Sequence, residues 1–265
     1  MNATDITYGQ LAAGYVLLLF PLAIFLWYGV KLVGDTLISV LRMTAQLLFV
    51  GFYLQVVFQW NNPWINFLWI AVMVIVADAS IVRSCGLHVR RFALPLAFAL
   101  LVGVLVPLLL FLIVIIRPNP VFDARYIIPI AGMILGNCLR ADIVGIRGFY
   151  ESILKQEKVY LTALASGANL HEAVQPFMRQ ALDAALRPTI ATMATIGIVS
   201  LPGMMTGVIL GGANPMTAIK YQIAIMLAIF AGTAITVVLA IYLTLRNSFT
   251  PYGTLEKKIF QQENK

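Results

Sequence analysis

FALPLAFALLVGVLVPLLLFLIVII, Phe92–Ile116, is the stretch that decides the fold class. It carries no charge from end to end, and it exceeds the about 20 apolar residues a helix needs to cross a bilayer core. Further apolar blocks repeat the pattern on either side. Leu11–Val30 is uncharged, Leu37–Phe58 holds only Arg42, and Trp64–Ile81 is interrupted only by Asp78. Beyond the central block come Thr189–Leu210, Ile223–Leu243 and the weaker Tyr126–Leu139, whose uncharged run is short. These blocks predict an all-α, polytopic membrane protein with about seven transmembrane helices.

Composition agrees. Hydrophobic residues make up 61% of the 265 residues and charged residues 11%, and the mean hydropathy is +0.91. A soluble domain carries about 25% charged residues, so this chain is too poor in charge to cover a water-facing surface. The net charge is +7, but Lys and Arg sit between the apolar blocks, where they orient the chain and meet lipid headgroups. No basic stripe interleaves with aromatics, so no nucleic-acid partner is expected. Cys85 and Cys138 lie in different segments without metal spacing. Met1–Asp5 lacks a basic leader pattern, so the first apolar block is expected to stay as a span.

Charge sets the orientation. Seven spans with the N-terminus outside and the C-terminus cytoplasmic place 15 of the 18 Lys and Arg inside. Lys257, Lys258 and Lys265 count among them, and Arg117, Arg125 and Lys220 form the outer 3. Removing the weak fifth span leaves only 12 against 6, so the positive-inside tendency favours keeping it. The location is therefore the plasma (inner) membrane, multi-pass, and the whole of 1–265 reads as one transmembrane domain.

The long segment between the fifth and sixth spans holds most of the polar chemistry. From Leu170 the apolar residues recur at amphipathic-helix spacing, through Ala173, Val174, Phe177 and Met178. Upstream lies Ala163-Leu164-Ala165-Ser166-Gly167-Ala168, where Gly167 suits a tight turn. The expected form is helix, Gly turn, then a helix returning to the membrane and ending near Pro188. A helix that merely anchors the loop at the interface would have the same pattern.

Four sets of residues carry a resemblance. One is RMTAQLLFVG, Arg42–Gly51; a second is IPIAGMILGN, Ile128–Asn137. The third is GIVSLPGMMTG, Gly197–Gly207, followed by Asn214-Pro215 and AIKYQ, Ala218–Gln222. With the Ala163–Ala168 turn, they resemble the FetB family of iron-export ABC-transporter permeases, related to plant half-transporters linked to aluminium tolerance. The resemblance implies a permease domain with a cytoplasmic coupling-helix segment at about residues 148–187. It also implies pairing with a second copy of the permease and with two copies of a cytoplasmic ABC ATPase subunit. No phosphate-cradling Gly-Lys loop occurs here, so ATP and Mg are expected in that partner and no cofactor on this chain. The chain is therefore not expected to be an enzyme.

Individual residues follow. Arg42 and Gln46 share a helical face and are candidates for the pathway or a subunit contact. Pro202-Gly203 interrupts the sixth span, as a kink or as the broken helix of a substrate path. Met133, Asn137, Met204 and Met205 join that pathway set; the methionines serve either as soft metal contacts or as gap-fillers. Gly203, Gly207 and Gly211, and likewise Gly132 and Gly136, are spaced for helix packing, within the chain or across a dimer. Ala163, Gly167, Ala168, Glu172 and Arg179 are the candidates for coupling to the ATPase. Asp78 is expected at the inner interface, and Cys138–Asp142 is polar for its place beside a span. The rival function is a gradient-driven secondary transporter or channel, with few intramembrane acids and no repeat to favour it. The rival cargoes are a nucleotide sugar or another metal.

Overall fold

The computed structural model describes residues 6–250 and 253–256. Met1–Asp5 and the three lysines 257, 258 and 265, which entered the leader and charge arguments, lie outside the described residues. Among the described residues ten α-helices follow in chain order: α1 Tyr8–Gly14, α2 Leu19–Trp27, α3 Val33–Trp60, α4 Pro63–Ser84, α5 Val89–Leu110, α6 Ala124–Lys155, α7 Glu157–Ala165, α8 Leu170–Thr195, α9 Gly203–Leu210 and α10 Pro215–Ser248. A 3₁₀ turn joins α1 to α2, and a π turn continues α5 to Ile116. No strand forms among the described residues, only two isolated bridges.

Six of these segments are long and apolar enough to cross a membrane: Tyr8–Trp27, Val33–Trp60, Pro63–Ser84, Val89–Ile116, Ala124–Lys155 and Pro215–Ser248. The protein is thus a multi-pass, all-α membrane protein. The expected span Thr189–Leu210 is not among the six. Its first residues end α8, its last ones form α9, and residues 196–202 between them are not helical. The weak span Tyr126–Leu139 belongs to the much longer α6, which at about 1.5 Å per residue reaches about 48 Å. That is well over the about 30 Å of a hydrocarbon core, so α6 projects beyond it.

The core is built by α4, α5, α6 and α10, with the buried face of α8 packed onto it. Its closest approaches are at glycines. A Cβ on Gly232 would lie 2.8 Å from the Gly103 carbonyl and 2.8 Å from Ile134, and one on Gly145 would lie 2.7 Å from Val237. Small residues let membrane helices meet backbone to backbone, which replaces the hydrophobic drive that lipid cannot supply. The hydroxyls beside this seam are satisfied locally: Thr233 donates to the Phe230 carbonyl and Thr244 to that of Ala240. Asp78 is buried within this bundle, because it shares the inward stripe of Val74, Ala77 and Ile81, in the last two turns of α4. Asp142 is buried as well, one turn beyond Cys138.

The first two spans stand apart. Val57 is the only buried residue of α3, and α1 and α2 have none. The arm is pinned at one end, where Tyr53 stacks on Trp69 with centroids 4.1 Å apart and Asn61 accepts from the Ala124 amide at 2.9 Å. At the other end of the bundle, α7 is held by the chain after α10. The Tyr160 hydroxyl donates to the Gly253 carbonyl, and its ring contacts Phe177 and Phe249. Burial pushes the Tyr160 phenol up to about 12, so it stays a hydrogen-bond donor at any physiological pH.

Candidate functional site: a broken helix facing α10

The site begins at the end of α8. Ile196 leaves the helix with extended backbone, and Gly197 takes φ +90°, a left-handed conformation that favours glycine. The Gly197 amide then bonds the Ser200 carbonyl at 2.9 Å, and the Val199 amide bonds Thr195 at 3.0 Å. Pro202 is extended and caps α9 without any side-chain acceptor. The first amides of α9 therefore point out of the helix unsupported. Of the two forms expected at Pro202-Gly203, a kink or a broken helix, the chain takes the break: Pro202 sits outside a helix, and the interruption runs over 196–202. Glycine and proline together open a gap that proline alone would only bend.

Opposite this gap runs α10. Pro202, Met205 and Met193 face Gln222, Met226 and Leu227 across a cleft of about 370 Å³. Gln222 is 7% exposed, and its side chain makes no hydrogen bond among the described residues. A second hollow of about 210 Å³ shares Met205 and Gln222 and ends at Arg125, Tyr126 and Tyr221. A third, of about 510 Å³, shares Met226 and ends at Asn137, Arg140 and Thr192. The three form a series along one face of α10. Between Thr217 and Ile229 that face measures about 18 Å at helical rise. Non-helical backbone at membrane depth persists only where protein or a water-filled cavity meets its polar groups; here Ile196, Gly197, Leu201 and Pro202 border the cleft, while Ile198 and Val199 are exposed.

The structure therefore brings Pro202, Met204, Met205 and Asn137 onto one track, with Gly203 beside it but lining none of the hollows, and it adds Gln222, Met193, Met226, Arg125 and Arg140. Gln222 and Arg140 were legible beside the quoted motifs; Met193 and Met226 carried no signal beyond a common core residue. Met133 lies one turn from Asn137, whose amide donates to its carbonyl at 2.7 Å. Arg42 and Gln46 are not brought to the track. They border an open hollow lined by α3 residues alone. The glycines also divide. A Cβ on Gly132 would approach Met73 at 3.2 Å, whereas one on Gly136, Gly203 or Gly207 would meet nothing within 4 Å. Gly211 caps α9 and meets only carbonyls of its own helix. The within-chain packing expected of the Gly203–Gly207–Gly211 face is absent among the described residues, and Gly103, Gly145 and Gly232 pack instead. Among the described residues no three His, Cys, Asp or Glu gather into a metal-binding group.

The coupling candidates lie together at the far end of α8. Gly167 has φ +96° and turns the chain between α7 and α8. Ala163 and Ala168 are half-buried there, and Arg179 is exposed. Glu172 has a local duty: its carboxylate accepts from the Asn169 amide at 2.8 Å while Asn169 accepts from the Glu172 amide at 3.0 Å. This capping box was written in the sequence as Asn-x-x-Glu. Pro188, expected to end the returning helix, lies inside α8, and the helix runs on to Thr195. The apolar face of α8, from Ala173 to Ala185, is buried in the protein, so it is not free to lie on a membrane surface.

A multi-pass membrane protein with a broken helix over a largely apolar cleft that holds one buried glutamine is the class that fold and site define. The chain belongs to the uncharacterised protein family UPF0014, whose pattern matches residues 8–249. It is 33% identical to the protein ALUMINUM SENSITIVE 3 of Arabidopsis thaliana, over 96% of this chain and 93% of that one. It is 34% identical to the UPF0014 membrane protein STAR2 of Oryza sativa subsp. japonica, over 86% of this chain and 78% of that one. It is 29% identical to the probable iron export permease protein FetB of Escherichia coli (strain K12), over 94% and 95%. No solved structure matches this one.

Proposed function

We propose that the chain is the membrane permease subunit of an ABC exporter that moves iron, driven by a separate cytoplasmic ATPase bound in two copies to a permease dimer. The observation that carries this reading is the continuity of α8. One continuous helix of about 39 Å, with Pro176 and Pro188 inside it, joins the Gly167 turn to the Gly197 break. A helix of that length delivers a displacement at the turn to the backbone beside the cleft. The turn is the natural seat of the ATPase, with Ala163, Gly167 and Ala168 allowing close approach and Arg179 at its rim. The name of the bacterial relative supports iron as cargo. ATP and Mg belong to the partner, and this chain holds no cofactor and performs no catalysis of its own. The seven-span orientation becomes six full spans plus the α8–α9 pair, with the N-terminus outside and α7 cytoplasmic.

Copurification tests the assignment. The permease, expressed with a cytoplasmic ABC ATPase from the same cell, retains that ATPase in detergent and stimulates its hydrolysis in lipid when cargo is added. Permease that binds no ATPase, yet catalyses ion-gradient-driven flux, would establish the secondary-transporter alternative. A cysteine at Asn62 labels with an impermeant thiol reagent from outside and one at Gln156 does not; the reverse pattern inverts the orientation.

A further inference from the structure

We infer that the track along α10 selects an anionic cargo, so that a metal crosses inside a negatively charged chelate and not as a bare divalent cation. This inference rests on the permease reading above. Its basis is the charge of the lining. Arg125 closes one end of the series and Arg140 the other, and neither is ion-paired among the described residues. No aspartate or glutamate lines any of the three hollows. The intramembrane acids that exist, Asp78 and Asp142, are turned into the core and line none of them.

The middle of the track has the same sign. The N-terminus of α9, with no side-chain acceptor on its first amides, presents the positive end of a helix dipole to the cleft. Such ends bind carboxylate and phosphate groups. Gln222, more than nine-tenths buried and without a hydrogen-bond partner among the described residues, lines the same cleft and supplies an amide donor. The remaining lining is aliphatic, from residues such as Leu201 and Ile223, and thioether, from Met193, Met205 and Met226, a poor exchange for the water shell of a hard or borderline dication. A bare dication would thus meet two arginines and a helix N-terminus in a low-dielectric passage with no compensating carboxylate. For a carboxylate chelate the arginines, the helix N-terminus and the Gln222 amide are favourable, and the arginines would raise its local concentration at both mouths.

The experiment measures ATPase stimulation by the lipid-reconstituted permease–ATPase complex under anaerobic conditions. Three additions are compared: ferrous ion alone, ferrous citrate, and citrate without metal. Ferrous citrate, or citrate itself, stimulates at lower concentration than the free ion. Arg125→Gln and Arg140→Gln, both at exposed positions that tolerate substitution, each raise the half-maximal concentration of the anion by about tenfold. Arg140→Glu shifts preference toward the free ion. Half-maximal stimulation by free ferrous ion at the lower concentration overturns the inference, and so does an anion response unchanged in both glutamine variants. A wild-type permease that binds no ATPase overturns the permease reading and this inference with it, an outcome visible before any cargo is added.

Discussion

α10 has two sides, and they are built for opposite purposes. Toward α5 it presents Gly232 against the backbone of Gly103, with hydroxyls bonded back into their own helix. Toward α8 and α9 it presents Gln222 and Met226 across a gap wide enough for small molecules. The first seam leaves no room for a single methyl group; the second contains unsatisfied backbone and an unpartnered amide. A membrane helix that must carry a load and border a passage needs both: one side fixed in register and one side able to open. Bistable packing transmits small displacements only when its reference surface does not yield.

Gly232→Val attacks the closed side and has the largest expected effect. Overpacking costs about 1–3 kcal/mol where side chains can yield, and here the obstructing atom at 2.8 Å is a backbone oxygen. The variant loses most of its folded protein in detergent, read by size-exclusion yield and thermal midpoint; wild-type values would show that the seam is looser than described. Gly167→Val acts at the far end of α8. Space is open around Gly167, so only its φ of +96° resists, a strain of about 1–3 kcal/mol confined to the turn. The protein still folds, and ATPase stimulation falls while the closed seam stays intact. Full stimulation would detach the turn from coupling. Arg42→Leu has the smallest effect, since Arg42 borders neither seam. Efflux falls less than in Gln222→Leu, and the opposite ranking would move the passage toward α3.

The sequence made the membrane class plain because lipid demands long uncharged helices, and five of the seven expected spans fall on helical segments of membrane-crossing length close to where hydropathy placed them. It hid the end of α6, since a helix that leaves the bilayer loses its hydropathy signal without losing its hydrogen bonds. It also misplaced the break, because Thr189–Leu210 has the composition of a span while Gly197 and Pro202 divide it. Half of the site was legible, through Pro202, Met204, Met205 and Asn137. The facing half was not, because Met226 looks like any core residue until the gap between it and α8 and α9 is known. The packing glycines were misassigned for a similar reason: four-residue spacing shows that glycines share a face but not what that face meets. Gly103 and Gly232, lone glycines in long apolar runs, meet backbone, while the evenly spaced Gly203 and Gly207 meet nothing within the chain.

The most direct test is whether water reaches the open side of α10 and not the closed one. Both native cysteines are buried, so a single added thiol can be followed against a low background. Met205→Cys and Val237→Cys place that thiol on the two sides, and each is exposed to a small, water-soluble methanethiosulfonate in intact membranes. Met205→Cys reacts readily, is protected by cargo, and changes rate when ATP is supplied to the ATPase; Val237→Cys stays unmodified throughout. Equal protection of both positions, or reaction at Val237→Cys alone, would contradict the assignment of the α8–α9 break as the passage.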